Sequence, residues 1–127
     1  MEKVDAKIFF SRQIHGQSGV PVIKKTNRLV RCADGFHMSV QAGPTAYSEP
    51  RDIIGPYKTV EIGFPSQSED LLLPYAENPE QPTDSVYGWV PKSVVTAVIV
   101  KHGGMVGGDL PNGIPYLYAA TYKKGPI

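Results

Sequence analysis

The stretch RLVRCADGFHMSVQA, residues 28–42, decides the fold more than any other part of the chain. Two β-prone runs, Arg28–Cys32 and Phe36–Ala42, are joined here through Ala33-Asp34-Gly35. Because aspartate and glycine both tolerate the positive φ angles of a tight turn, we expect the two runs to form an antiparallel hairpin. Apolar and polar residues alternate along the second run, which is typical of a half-buried strand with its apolar side chains facing the core.

Three further elements extend this hairpin. Alternating apolar residues predict a third strand over Lys58–Phe64, and Ser85–Val90 predicts a fourth. Pro91–His102 is the clearest helix, because proline suits a first helical turn and Gly103 supplies a C-terminal cap. We therefore expect an α+β fold: a small antiparallel sheet, one short helix at about residues 91–102 packed on it, and a C-terminal strand or tail.

Glycine and proline set the domain organisation. The 127 residues include 13 glycines and 12 prolines, an excess that makes long helices improbable. The glycine-rich residues 103–108 predict a hinge, and Ile114–Tyr122 predicts a final strand. We expect a single α+β domain over residues 1–104, with a loosely defined N-terminal segment, and a glycine-hinged strand or tail over 105–127. Such a tail either pairs with a neighbouring subunit, giving a homo-oligomer, or closes its own sheet.

Composition excludes several classes of function. Thirteen basic and twelve acidic residues give a formal charge of +1, which argues against an electrostatic grip on bulk nucleic acid. The single cysteine, Cys32, cannot form an intramolecular disulfide or a thiolate zinc site. No run of residues has the length and apolar character of a signal peptide or a membrane span. We expect a cytoplasmic protein with no membrane partner and no cofactor.

The segment YSEPR, residues 47–51, is the best candidate for recognition. Tyr47 offers a flat face that stacks on a base, and the planar guanidinium of Arg51 matches phosphate or carboxylate. Pro44 and Pro50 stiffen this loop. In the alternative interpretation, Arg51 pairs with Glu49 or Asp52 while Tyr47 covers a sheet edge.

Side chains on the predicted strands and their flanking loops would add to this site if the strands are adjacent. They supply rings, carboxylates and amides that suit a small polar ligand. The candidate ligand-binding residues are Tyr47, Glu49, Arg51, Tyr57, Glu61, His37, Gln41, Tyr87 and Trp89. A tryptophan at such a position is more often part of the core, and a strand histidine is more often a hydrogen-bonded surface residue than a base.

The sequence carries no catalytic or metal-binding constellation. His15, His37 and His102 are too far apart for a local metal motif, and the helix dipole accounts for His102. Cys32 would be a nucleophile only beside a histidine that lowers its pKa, whereas a buried thiol is the commoner situation. The glycine-rich residues 103–108 follow a helix, whereas loops that bind phosphate precede one.

Several short segments form a recognisable combination: DGF at 34–36, MSVQA at 38–42, Tyr47 with PR at 50–51, Tyr57, VEIGFPS at 60–66, VYGWVP at 86–91 and HGG at 102–104. Together they resemble a family of small hypothetical proteins encoded by bacteriophages and prophages. The resemblance covers roughly residues 30–104, and it implies a viral origin and an accessory role without an established activity.

Three functions are compatible with these features. The first is a phage-encoded, non-enzymatic protein of the host bacterial cytoplasm that counters bacterial immunity by sequestering a nucleotide immune signal. The second is a protein–protein inhibitor of a host defence effector, of the anti-CRISPR kind, in which exposed aromatic residues anchor the interface. The third is a small nucleotide-cleaving enzyme that uses His37 and a carboxylate.

Overall fold

A computed structural model describes residues 26–122 of the chain. These residues form one α-helix, five strands and two single turns of 3-10 helix, Leu73–Tyr75 and Pro82–Asp84. In chain order the main elements are β1 (Val30–Cys32), β2 (His37–Gln41), β3 (Thr59–Gly63), β4 (Val86–Pro91), α1 (Lys92–Lys101) and β5 (Met105–Gly107).

The five strands form one antiparallel sheet in the spatial order β4-β3-β2-β1-β5. The predicted hairpin is its centre, with Val30 opposite Met38. The side chain of Asp34 accepts a hydrogen bond from the Phe36 N–H at 2.9 Å, and Gly35 has a φ of 97°. Turn chemistry therefore fixes this pairing locally, as the sequence predicts.

The core lies between one face of the sheet and α1. Cross-strand pairs such as Val40 with Ile62 and Val60 with Val90 bring apolar side chains onto this face. The helix covers them with three residues that are fully buried, Val95, Val98 and Ile99. Because valine and isoleucine are weak helix formers, this packing rather than intrinsic propensity stabilises α1. The predicted α+β class and the helix packed on the sheet are confirmed.

The C-terminal part is a packed tail, and the predicted strand over residues 114–122 is wrong. Its described residues form only one isolated bridge, between Tyr118 and Met105. Pro111 and Pro115 lack the N–H groups that a continuous ladder requires. The fifth strand instead lies within the glycine-rich residues 103–108. Because glycine lowers β-propensity, the sequence did not predict a strand there.

The described part of the tail packs on its own sheet. Leu110 and Ile114 belong to the core, and Met105 exchanges backbone hydrogen bonds with residues 117 and 119 at 2.8 and 2.9 Å. Gly104 has a φ of 90°, and a Cβ atom there would lie 2.6 Å from the Ala119 nitrogen. Glycine at this position is therefore required by both conformation and space. A glycine hinge stays a prediction, and the N-terminal segment lies outside the described residues.

Candidate functional site

Four of the predicted site residues lie on one line across the sheet, on the face opposite the helix. Gln41 of β2 is opposite Glu61 of β3, and β4 has a bulge next to Glu61 that contains Gly88 and Trp89. The loop after β2 crosses over β3 at this level. Its Tyr47 N–H donates to a Glu61 carboxylate oxygen at 3.2 Å, and the Tyr47 carbonyl accepts the Trp89 N–H at 2.9 Å. The bulge and the crossing loop thus bring Tyr47 to the edge strand.

The rings of Tyr47 and Trp89, here called the aromatic pair, stack at the edge of the sheet. Their centroids are 4.8 Å apart and their planes differ by 19°. Gly88 favours this approach, because a Cβ atom there would lie 3.2 Å from the Tyr47 Cβ, a tight contact. Trp89 is 50% exposed, so much of the indole remains open to solvent.

Trp89 also has an unusual backbone conformation. Its φ is 50°, in the left-handed region that bulky residues rarely adopt. Such a conformation costs on the order of 1–3 kcal/mol and persists only where the surroundings impose it. The bulge, the hydrogen bond to Tyr47 and the ring stacking supply that constraint here. Strained backbone conformations of this kind cluster at functional sites, which makes Trp89 a candidate site residue.

Glu61 contacts the loop that carries Tyr47, and Gln41 is the cross-strand neighbour of Glu61. Both are buried, with 6% and 5% of their surface exposed. The Gln41 amide donates to the Asn27 carbonyl and to the Ser39 hydroxyl, each at 3.0 Å. Glu61 holds the backbone of Tyr47. These two residues therefore act by positioning the loop and the sheet.

The loop that follows Tyr47 carries Glu49 and Arg51. Glu49 bridges to Thr59 and closes the base of this loop. Arg51 is exposed and forms no hydrogen bond or ion pair in the described structure. The Asp52 carboxylate instead accepts the N–H groups of residues 54 and 55. The alternative interpretation expected Arg51 to pair with Glu49 or Asp52, and this pairing is not observed among residues 26–122. It also expected Tyr47 to cover a sheet edge, and Tyr47 does so.

Three predicted site residues lie elsewhere. Tyr57 and Tyr87 are buried, and their hydroxyl groups donate to the carbonyls of Asp52 and Pro82, both at 2.6 Å. Burial raises the pKa of both tyrosines. His37 is half-buried and lies four residues from Gln41, about 13 Å along the strand. The structure therefore does not bring these three side chains to the aromatic pair.

Sequence analysis missed a cluster around the buried side chains of His102 and Glu69, here called the His102 clasp. His102 Nδ1 lies 2.6 Å from an Asp34 oxygen, and Nε2 lies 2.6 Å from a Glu69 oxygen. The second Glu69 oxygen accepts from Lys101 Nζ at 2.8 Å. Phe36 stacks on the imidazole with centroids 4.1 Å apart. The clasp thus joins the β1–β2 turn, the segment after β3 and the end of α1.

The geometry of the clasp favours a charged imidazole. A neutral ring has one N–H, so with both carboxyl groups ionised one of the two contacts would place two acceptors 2.6 Å apart. Burial lowers the pKa of His102, but its hydrogen bonds to Glu69 and Asp34 outweigh this effect and raise the pKa overall. Burial raises the pKa of Glu69. Its hydrogen bonds to Lys101, the Leu71 N–H and His102 outweigh this effect, so the pKa is lowered overall. Both ring nitrogens are engaged, so His102 holds the fold together and is not a free base.

The cysteine does not have the properties of a nucleophile. Burial raises the pKa of the Cys32 thiol to about 11, and the nearby Asp34 carboxylate contributes to this increase. A thiol with such a pKa is almost entirely protonated at neutral pH and reacts slowly. Within residues 26–122, no group of three or more histidine, cysteine or acidic side chains is placed to hold a metal ion.

An open groove of about 630 Å³ lies beside the first turns of α1, between the helix and the tail. Its lining differs from the residues of the aromatic pair, so it is a separate feature of the surface. The lining residues are Lys92, Ser93, Thr96, Gly113, Ile114 and Pro115.

Comparison with known proteins adds no function to this geometry. The chain matches no protein-family model, no curated protein and no solved structure. In the described residues, no helix has the length and apolar character needed to cross a membrane.

Proposed function

We propose that this chain is a phage-encoded, non-enzymatic binding protein that acts in the host bacterial cytoplasm. It counters bacterial immunity by sequestering a nucleotide immune signal. The observation that carries the proposal is the aromatic pair, which holds a strained, half-exposed indole at a sheet edge. The resemblance to small phage proteins supports the viral origin.

The chemistry of the pair suits a nucleobase. A base that stacks on an aromatic side chain contributes about 1–3 kcal/mol, and every base has a face that allows it. Because Tyr47 already lies on the Trp89 ring, the indole is fixed before a ligand arrives. Because the indole is already held in place, its side chain loses less conformational entropy when a ligand binds.

Arg51 supplies the complementary charge. Within residues 26–122 its guanidinium has no ion pair to give up, and its planar geometry matches two phosphate oxygens at once. A formal charge of +1 over the whole chain favours a small anionic ligand over long nucleic acid. A stacked base and a paired phosphate together define a nucleotide.

Self-association belongs to the same proposal. The tail exposes Tyr116 and Tyr118, whose rings lie 6.0 Å apart, and Tyr118 in turn stacks on Tyr122 at 5.1 Å. Exposed tyrosines are frequent in interfaces. Analytical ultracentrifugation should show an oligomer that Tyr118→Ala weakens. A monomer at all concentrations contradicts this part of the proposal.

The test is retention of an intact ligand. The purified protein is incubated with a panel of cyclic nucleotides, freed of unbound ligand by gel filtration and heat-denatured, and the released molecule is identified by mass spectrometry. We expect recovery of an unaltered nucleotide, with losses in Trp89→Ala and Arg51→Ala. Val100→Ala, an exposed position on α1, is the control and should retain ligand.

The other two functions give different results. Recovery of a cleaved nucleotide indicates the small enzyme. No retention of any nucleotide contradicts sequestration and leaves the protein–protein inhibitor as the better hypothesis. Retention that persists in Trp89→Ala shows that the ligand lies elsewhere, for example in the groove beside α1.

A further inference from the structure

One of the three asparagines in the chain, Asn112, is followed directly by a glycine. An asparagine side chain can react with the backbone nitrogen of the next residue, which closes a five-membered succinimide ring and releases ammonia. Glycine favours this ring closure because it has no Cβ atom to shield its nitrogen. Asn112 and Gly113 lie in a turn of the tail, and both are exposed. The reacting groups are therefore accessible to water.

The nitrogen of Gly113 is also uncommitted. Within residues 26–122 its N–H group donates no hydrogen bond. Aspartate followed by glycine can form the same ring, but at Asp34 both reacting groups are held. The Gly35 N–H donates to the Cys32 carbonyl at 3.0 Å, and the Asp34 carboxylate is bound to His102. The structure thus separates two dipeptides that look alike in the sequence.

The other two asparagines have no available nitrogen after them. Asn78 precedes Pro79, and proline has no N–H to lose when the ring closes. Asn27 precedes Arg28, whose N–H donates to an Asp109 oxygen at 2.8 Å. These two asparagines are therefore internal controls within the same chain.

Asn112 also ties the tail to the loop before β3. Its side-chain amide donates to the Ile54 carbonyl at 2.9 Å, and its own carbonyl accepts the Tyr57 N–H at 2.8 Å. Gly113 fits closely against this loop, because a Cβ atom on it would lie 2.9 Å from the Pro56 Cβ. A chemical change at Asn112 therefore acts directly on the contact between the tail and the loop.

We propose that Asn112 is a site of spontaneous deamidation, and that its conversion releases the tail from the loop before β3. The Gly113 nitrogen bonds to Cγ of Asn112, and the bond between Cγ and Nδ2 breaks. Ammonia leaves with both hydrogens of the side-chain amide and the hydrogen of the Gly113 N–H. Water then opens either carbonyl of the ring, which gives an aspartate linked to Gly113 through its α- or its β-carboxyl group.

The hydrogen bond to Ile54 slows this reaction but does not prevent it. Ring closure requires the Asn112 amide to leave the Ile54 carbonyl. Because this hydrogen bond is exposed to water, breaking it slows the reaction by about tenfold.

Both products remove the tie between the tail and the loop. A carboxylate has no N–H to donate, so it would face the Ile54 carbonyl as a second acceptor. The β-linked product also adds a methylene carbon to the backbone, which displaces the carbonyl that accepts the Tyr57 N–H. The close fit at Gly113 leaves little room for this longer backbone. The Tyr57 N–H should therefore exchange with solvent more readily after deamidation.

The experiment follows the purified full chain during incubation at mildly alkaline pH, where a base removes the Gly113 proton more readily. Samples taken over time are digested, and the peptides are identified by mass spectrometry. Amide hydrogen exchange at Tyr57 is measured on the same samples before digestion. The variants are Asn112→Gln, which keeps an amide but would have to close a larger ring, and Asn112→Asp, which carries the charge of the product.

We expect the wild-type peptide that contains Asn112 to gain the mass difference between an amide and an acid, while the Asn27 and Asn78 peptides keep their mass. The formal charge of the chain should fall from +1 to zero, which isoelectric focusing detects. Exchange at Tyr57 should become about tenfold faster in the aged wild type and in Asn112→Asp. Fresh and aged Asn112→Gln should not differ in mass or in exchange.

Two results would overturn this proposal. An Asn112 peptide whose mass stays constant, or changes no faster than that of the Asn27 peptide, shows that Asn112 is not the reactive site. Deamidation that leaves exchange at Tyr57 unchanged shows that the tail is not released. Neither measurement involves a nucleotide, so their outcome is separate from that of the proposed function.

Discussion

Replacing His102 by leucine tests the His102 clasp most severely. Leucine occupies a similar volume, but it removes the one cation that contacts both Asp34 and Glu69. The largest energetic cost falls on Glu69. Its side chain is only 1% exposed, so water cannot replace the lost hydrogen bond. Leucine also loses the stacked contact with Phe36.

The magnitude follows from burial and from the partners that remain. Removing one member of a buried ion pair typically costs about 3–5 kcal/mol. Glu69 keeps its bonds to Lys101 and to the Leu71 N–H, so we expect a loss of about 3 kcal/mol, at the lower end of this range. Domains of this kind have free energies of unfolding of about 5–15 kcal/mol, so the variant should remain folded but be much less stable.

The stabilisation by the His102 clasp depends on pH, and the two pKa shifts give the direction of this dependence. The pKa of His102 in the folded protein lies above its ordinary value of 6.5, so the stabilisation is complete below pH 6.5 and is lost as the pH rises through the folded pKa. The pKa of Glu69 lies below its ordinary value of 4.5, so its contribution is complete above pH 4.5 and is lost as the pH falls through the folded pKa. The difference between wild type and His102→Leu should therefore be largest between pH 4.5 and 6.5.

Urea unfolding followed by far-ultraviolet circular dichroism, repeated across the pH range, measures this difference. His37→Leu is the matched control, since His37 is half-buried and its Nδ1 has no hydrogen-bond partner in the described structure. We expect that control to change the free energy of unfolding by less than about 1 kcal/mol. The reasoning is refuted if His102→Leu loses no more than the control, or if its loss grows on the alkaline side.

Three further predictions concern backbone and thiol chemistry. Cys32 should resist iodoacetamide at neutral pH in the folded protein and react once urea unfolds it; rapid alkylation of the folded chain would contradict the raised pKa. Gly104→Ala should lower the free energy of unfolding by about 2–5 kcal/mol, from φ strain plus the clash with Ala119. Gly35→Ala, which has a φ of 97° but open space, should lose only about 1–2 kcal/mol, and equal losses in urea unfolding would mean that the tail does not pack at Gly104. Trp89→Asn should be about 1 kcal/mol more stable than Trp89→Ala in the same assay, because asparagine tolerates a positive φ, and the reverse order would argue against the strained bulge.

Local signals made the framework of the fold predictable. The Asp34-Gly35 turn and the alternation that follows it involve residues close in sequence, and both are seen in the hairpin. The helix begins at Lys92, one residue after the proline that predicts its first turn. Strand β5 escaped prediction because its partner β1 lies some seventy residues earlier and its own sequence is rich in glycine.

The site depends on contacts that spacing does not reveal. Tyr47 and Trp89 both stood among the candidates, but their stacking arises from a bulge whose register only the β3–β4 pairing determines. Tyr57 and Tyr87 look as suitable for a binding site in the sequence as the aromatic pair does. In the structure both are buried, which the sequence does not reveal. The His102 clasp joins residues that are 68 and 33 positions apart, and no local pattern marks such a pairing.

The most direct test of the proposed function uses the fluorescence of Trp89, the only tryptophan in the chain. A base that stacks on this indole should quench its emission, so titration with the retained nucleotide reports on the proposed contact itself. We predict saturable quenching in the wild type and in Thr96→Arg, which fills the groove beside α1, and a loss of affinity in Arg51→Ala. A nucleotide that binds with unchanged Trp89 emission, or that Thr96→Arg displaces, would contradict a binding site at the aromatic pair.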